Sequence, residues 1–85
     1  MNVVQAIKES LREKLEAVKV EVLNESHKHK GHAEAKKSGG GHFAVTVISE
    51  KFRNKSLIER HRLIYKAVEP LKSKIHALSI KAEAP

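Results

Sequence analysis

The chain has 85 residues, of which 40% are hydrophobic, and it contains neither cysteine nor tryptophan. This length allows one small domain with an aliphatic core. The lack of cysteine excludes disulfides, a thiol nucleophile and thiolate metal ligands supplied by this chain. No apolar run approaches the roughly 20 residues that cross a bilayer. Because the N-terminus shows no targeting pattern, we expect a cytoplasmic protein, or an organelle-matrix protein if a presequence has been removed.

The net charge of +7 is unevenly distributed along the chain. Residues 1–26 carry a charge of −1, residues 27–41 carry +3, and residues 42–85 carry +5, with nine basic side chains against four acidic ones. This distribution indicates an anionic partner, which is a nucleic acid, a phosphate-bearing ligand or an acidic protein surface. A basic face that is merely solvated is the alternative.

The first elements are predicted from apolar spacing. Asn2 and Gln5 form the pattern of a capping box, and an amphipathic helix is predicted over residues 3–16. Its apolar stripe consists of Val4, Ile7, Leu11, Leu15 and Val18. Alternating valines at 18, 20 and 22 then predict a half-buried strand that ends near Asn24.

Residues 27–41 have the composition of an exposed, flexible loop that is rich in histidine, lysine and glycine. His27, His29 and His32 lie within six residues, and histidine is the commonest metal ligand. These three imidazoles could bind a metal among themselves, but a structural zinc site needs a fourth ligand and a rigid geometry. His42, which begins the next strand, is interpreted as a surface residue at a strand end.

The second half of the chain predicts a strand, a helix and another strand. Phe43, Val45 and Val47 alternate in a strand that pairs antiparallel with the first one. Asn54 is the candidate for a left-handed turn residue, and Ser56 with Glu59 forms a second capping box. The stripe of the following helix is Leu57, His61, Ile64, Val68 and Leu71, and Pro70 should kink or end it. Residues 75–82 are the last strand, with His76, Leu78 and Ile80 on one parity.

The order helix, strand, strand, helix, strand predicts an α+β fold with a single domain over residues 1–85. The last connection passes over a helix, which favours a parallel neighbour and therefore a three-stranded mixed sheet with the helices packed on one face. This αββαβ order is similar to that of KH domains, although the chain has no Gly-x-x-Gly loop between two helices.

The residues that carry chemistry argue against an enzyme. The chain has no aspartate, so a Ser/His/Asp triad is excluded, and its glutamates fall mainly at exposed positions. His61 lies in an apolar stripe and is interpreted as structural, whereas His76 is either a core residue or a ligand. Arg60, Arg62 and Lys66 are candidates for contact with a partner or with nucleic acid, through phosphates rather than bases.

Several blocks of the sequence together resemble the BolA family. They are Asn24-Glu-Ser26, His42-Phe43, the run from Phe43 to Phe52 (Phe-Ala-Val-Thr-Val-Ile-Ser-Glu-Lys-Phe), Arg60-His-Arg-Leu-Ile-Tyr-Lys-Ala-Val68 and Ile75-His-Ala-Leu78. The blocks occur in the order found in that family, and the resemblance covers nearly the whole chain. The resemblance implies the KH-like BolA-type fold, in agreement with the order of the predicted elements.

The resemblance also implies a partner instead of a reaction. BolA-like proteins pair with monothiol glutaredoxins of the Cys-Gly-Phe-Ser type and share a bridged, glutathione-assisted 2Fe–2S cluster, in iron–sulfur assembly, trafficking or iron regulation. The ligands implied for this chain are His76 and His29, with His32 and His27 as alternatives in the loop, which places the chain in the histidine-loop subgroup. No cofactor is expected in the isolated apo chain. A nucleic-acid-binding transcriptional regulator is the alternative, because some family members act in this way.

Overall fold

The computed structural model describes residues 2–25 and 41–85. Helix α1 spans Val3–Leu15, strand β1 Lys19–Asn24, strand β2 Gly41–Ile48, helix α2 Leu57–Ala67 and strand β3 Ile75–Glu83. Short 3-10 helices span Glu50–Phe52 and Glu69–Lys74. The predicted α+β order is confirmed. The loop predicted over residues 27–41, with its three histidines, lies outside the described residues except for Gly41, which begins β2.

The three strands form one mixed sheet in the order β1-β2-β3. β1 is antiparallel to β2, with Val20 opposite Val47. β2 is parallel to β3, with Val45 opposite Ile80. The parallel pair is possible because α2 and the second 3-10 helix carry the chain back across the sheet before β3 begins. Both pairings agree with the sequence prediction.

The core lies between the two helices and one face of the sheet. The strands contribute alternate residues, as β2 shows with Phe43, Val45 and Val47 buried, while its intervening residues are half-buried. Such alternation is what a sheet with one covered face requires. The buried apolar side chains are Ile7, Leu11, Leu15, Val20, Phe43, Val45, Val47, Phe52, Ile64, Ala67, Val68 and Ala82.

Two predicted core positions are wrong. Val18 precedes β1 and is 71% exposed, because Glu16 adopts a left-handed conformation that ends α1 and turns the chain before the strand starts. Leu57 is 68% exposed, because the first turn of α2 extends beyond the core that begins at Ile64. In both cases the apolar residues of the predicted stripe continue in the sequence beyond the part of the element that packs against the core.

The helix ends follow the predicted capping chemistry, with one difference. The Ser56 hydroxyl accepts from the backbone N–H of Glu59, whose carboxylate accepts from the backbone N–H of Ser56, so this capping box is complete. At α1, the Asn2 side chain accepts from the backbone N–H of Gln5 at 2.8 Å. The Gln5 amide, however, donates to Glu9 at 3.4 Å, so the predicted reciprocal bond is replaced.

The predicted left-handed turn at Asn54 and the predicted end of the second helix near Pro70 are also confirmed. Asn54 has a φ of 63°, in the left-handed region that asparagine tolerates better than most residues. Helix α2 ends at Ala67, and Pro70 lies in the first turn of the 3-10 helix that follows. No helix within residues 2–25 and 41–85 is long and apolar enough to cross a membrane.

Ser49 is a buried polar residue that joins α1 to the end of β2. It is 0% exposed, and its hydroxyl donates to the carbonyl oxygen of Leu15 at 2.5 Å. The Ser49 hydroxyl oxygen also accepts from the backbone N–H of Lys51 at 3.1 Å. The hydroxyl therefore satisfies the buried carbonyl of Leu15 and a partly buried N–H at the start of the first 3-10 helix.

Candidate functional site

His76 lies at an irregularity of the edge strand β3. In the ladder, Gly41 is opposite Ile75 and His42 is opposite Ala77, so His76 is the extra residue of a β-bulge. Strict alternation is broken there, because Ile75 and Leu78, three residues apart, both pack against the core. The predicted parity of His76 with Leu78 is therefore wrong, and the imidazole is exposed.

The bulge places His76 beside His42. The two ring centroids are 5.1 Å apart, with an angle of 46° between the ring planes. His42 is half-buried and lies out of phase with the buried Phe43 and Val45 of the same strand, so it belongs to the face of the sheet opposite the core. The interpretation of His42 as a surface residue at a strand end missed this contact.

Both ends of the segment 26–40 reach the sheet near this pair. The backbone N–H of Glu25 donates to the carbonyl oxygen of His42 at 2.7 Å. On the other side of the segment, Gly41 is opposite Ile75, the residue before His76. The candidate loop ligands His29, His32 and His27 lie outside the described residues, but the chain leaves and re-enters the sheet at this site.

A shallow groove of about 140 Å³ lies next to His76, between β3 and α2. Tyr65, Lys72 and Leu78 are among its lining residues. A second, more open groove shares Tyr65 and Lys72 with it and adds Arg62 and Lys66. A continuous surface therefore runs from the exposed imidazole, past a tyrosine ring, to three basic side chains, with Glu69 as the acidic residue of the second groove.

Arg60 differs from the other candidate contact residues. Its Nε donates to the carbonyl oxygen of Lys55 at 3.0 Å, and one of its terminal nitrogens donates to that of Ala82 at 2.9 Å. The guanidinium thus ties the start of α2 to the end of β3. Its position is set by the fold, whereas Arg62 and Lys66 are exposed on the helix.

The described residues do not make a complete metal site on their own. His61 is half-buried on α2, and its structural role stays a prediction. Within residues 2–25 and 41–85, no group of three or more histidine, cysteine, aspartate or glutamate side chains is arranged to hold a metal ion. The His42–His76 pair therefore offers at most two protein ligands from this part of the chain.

Comparison with known proteins shows the family of the chain. The model of the BolA-like protein family matches residues 11–85. The chain belongs to the BolA-like family. It is 44% identical over 84 residues to the SufE-like protein 1, chloroplastic/mitochondrial, of Arabidopsis thaliana, a match that covers 93% of this chain but only 23% of that protein. The solved BolA domain of SufE1 from the same plant superimposes with a TM-score of 0.82 at 39% identity, covering 100% of this chain and 95% of that one.

A bacterial BolA-like relative is named for a different role. The DNA-binding transcriptional regulator BolA of Escherichia coli (strain K12) is 33% identical over 81 residues, covering 94% of this chain and 73% of that protein. BolA-like relatives are thus named for organelles in one case and for DNA binding in another. None of these names states a catalytic activity.

Proposed function

We propose that this BolA-like protein is a non-enzymatic partner of a monothiol glutaredoxin and shares a glutathione-assisted, bridged 2Fe–2S cluster with it. The observation that carries the proposal is the exposed His76 at the bulge of β3, next to the two ends of a segment with three more histidines. Imidazole nitrogens suit iron as ligands. The donor set of the chain therefore fits one half of such a cluster.

The absence of thiolate ligands in this chain supports a protein partner that supplies them. The chain has no cysteine, so it offers no thiolate, and its described residues hold no group of three metal ligands. A glutaredoxin cysteine and glutathione would supply the thiolates. When bound, the cluster would supply a transferable iron–sulfur unit, with imidazole ligation on one iron raising the reduction potential relative to ligation by thiolates alone.

The basic surface next to His76 supports the role of glutathione. Glutathione has two carboxylates, and Lys72 lines both grooves beside the imidazole, with Arg62 and Lys66 further along the second one. Amino and guanidinium groups at such a place attract an anionic ligand and an acidic protein surface. In this proposal His76 and a loop histidine, His29 first with His32 and His27 as alternatives, bind iron, while Lys72 contacts the tripeptide.

Reconstitution tests the ligand assignment. The protein is mixed with a Cys-Gly-Phe-Ser glutaredoxin, iron, sulfide and glutathione, and the mixture is followed by size-exclusion chromatography and visible circular dichroism. We expect a heterodimer with a cluster spectrum that the glutaredoxin alone does not give. His76→Ala should abolish that spectrum, whereas the matched control His61→Ala should retain it. If His76→Ala leaves the spectrum and the lifetime of the cluster unchanged, the ligand assignment is wrong, and if no heterodimer elutes, the partner is wrong.

A nucleic-acid-binding regulator is the second candidate. It is favoured by Arg62, Lys66 and Lys72, which line one groove, and by the Escherichia coli relative, which is named a DNA-binding transcriptional regulator. Phosphate contacts by these residues predict an affinity that falls steeply with salt. Fluorescence anisotropy with labelled duplex and single strands measures it, and Lys66→Ala should lower the salt slope by about 1. No binding at about 50 mM salt refutes this function.

A further inference from the structure

We infer that His42 and His76 together chelate a single divalent transition-metal ion of the class that imidazole prefers, such as Zn²⁺ or Co²⁺. This two-imidazole site is built from β2 and β3 alone. It does not require the segment 26–40 or a glutaredoxin. His76 is shared with the proposed cluster, in which the second ligand from this chain is a loop histidine, whereas His42 is a ligand only in the site inferred here.

The distance between the rings fits a common ion. A tetrahedral ion bound at 2.0–2.1 Å from each ring nitrogen lies about 3.2 Å from each centroid, so the centroids of two such rings are about 5 Å apart. The observed separation is 5.1 Å. Because the χ2 torsion of histidine is broad and roughly two-fold, each ring can turn a nitrogen toward the gap without a change in the backbone.

The positions of the two backbones are fixed by the sheet. His42 is in the ladder opposite Ala77, and His76 is the adjacent bulged residue, so neither depends on a long loop for its place. A bulge is a common device for redirecting a side chain at a functional site. Two ligands held on neighbouring strands lose little conformational freedom on binding, which favours chelation.

The remaining coordination positions face solvent, since His76 is exposed. Water or a ligand from another molecule would complete the sphere. Lys72, which lines the groove beside His76, favours an anionic completing ligand over a neutral one. The site is therefore suited to a metal ion that is shared with an incoming thiolate or carboxylate.

Aromatic packing is the alternative explanation of the contact, because tilted rings 4.5–7 Å apart also attract each other. Two substitutions separate the explanations. His42→Phe keeps a ring at the contact but has no ligating nitrogen, whereas His42→Ala removes both.

The test is a titration of the isolated full chain with Co²⁺, followed by visible absorption and confirmed by competition with Zn²⁺. A background variant with His27, His29 and His32 all changed to alanine isolates the pair from the loop. We expect this background to bind one ion per chain, and the further addition of His42→Phe, His42→Ala or His76→Ala to weaken binding at least about tenfold. His61→Ala in the same background should leave the affinity unchanged.

Three outcomes overturn the inference. Loss of binding in the loop background, with amide spectra intact, places the metal on the loop histidines. Unchanged affinity in His42→Phe removes His42 from the ligand set. A failure of the wild-type chain to bind, together with a loss of stability in His42→Ala that His42→Phe restores, shows aromatic packing only. Since no glutaredoxin is present, none of these results depends on the proposed partnership.

Discussion

Glu16 offers a quantitative test of the backbone geometry that separates α1 from β1. It ends the helix with φ 49° and ψ 43°, in the left-handed region, and its backbone N–H donates to the carbonyl of Arg12. A non-glycine L-residue in this region costs roughly 1–2 kcal/mol, because its Cβ crowds the backbone. Glycine removes that cost but loses about 0.5–1 kcal/mol more conformational entropy on folding.

Glu16→Gly should therefore stabilise the protein slightly. The carboxylate is 3.9 Å from Lys51 in an exposed ion pair, whose loss costs only about 0–1 kcal/mol. With each effect at the middle of its range, the balance is a gain of about 0.3 kcal/mol in the free energy of unfolding, or a rise of about 1–2 °C in Tm for a domain of this size. Thermal unfolding by circular dichroism and urea titration measure the two quantities.

Two control variants isolate the cause. Glu16→Ala removes the same carboxylate but keeps the Cβ, so its stability should equal that of wild type or lie below it by up to about 1 kcal/mol. Asn54→Gly changes the other left-handed residue, with φ 63°, and should be nearly neutral because asparagine already tolerates this region. A lower Tm in Glu16→Gly, or an equal rise in Glu16→Ala, refutes the reasoning.

Three further predictions concern buried and capping groups. Ser49→Ala should lower the free energy of unfolding by about 1–3 kcal/mol, measured by urea titration, because the buried carbonyl of Leu15 loses its hydrogen bond. Ile64→Ala should cost about 2–5 kcal/mol in the same assay, since Ile64 is 0% exposed. Hydrogen bonds from the backbone N–H and then the hydroxyl of Ser56 hold the pKa of Glu59 below its usual 4.5. The wild type should thus exceed Glu59→Gln in stability above pH 4.5, and this advantage should vanish as the pH falls through the lowered pKa.

Each of these three has a control. Ser79→Ala, at an exposed position of β3, should be nearly neutral, and an equal cost there would argue against a special role for Ser49. Leu57→Ala lies on the same helix as Ile64 but is 68% exposed, so it should stay within about 0.5 kcal/mol of wild type. A difference between wild type and Glu59→Gln that is constant from pH 7 to pH 3 contradicts the pKa argument.

The candidate site was only partly predictable. His76 was identified from its resemblance to a family position, and its strand from alternating residues. The proximity of His76 to His42 could not be predicted, because the two histidines are 34 positions apart and meet only through the parallel pairing of β2 and β3. The sequence indicated that His42 is a surface residue at the start of a strand, but it did not indicate which residue lies beside it.

The sequence by itself determined the local structure of this protein. This includes the order of its helices and strands, the turn at Asn54, the end of α2 before Pro70 and the complete capping box at Ser56. These features follow from interactions among residues close in the chain, such as Ser56 with Glu59 and the left-handed preference of Asn54. Only the tertiary structure decided where the apolar stripes stop being covered, at Val18 and Leu57. It alone decided the bulge at His76, because a register shift depends on two strands packing against the same core, and no single strand contains that information.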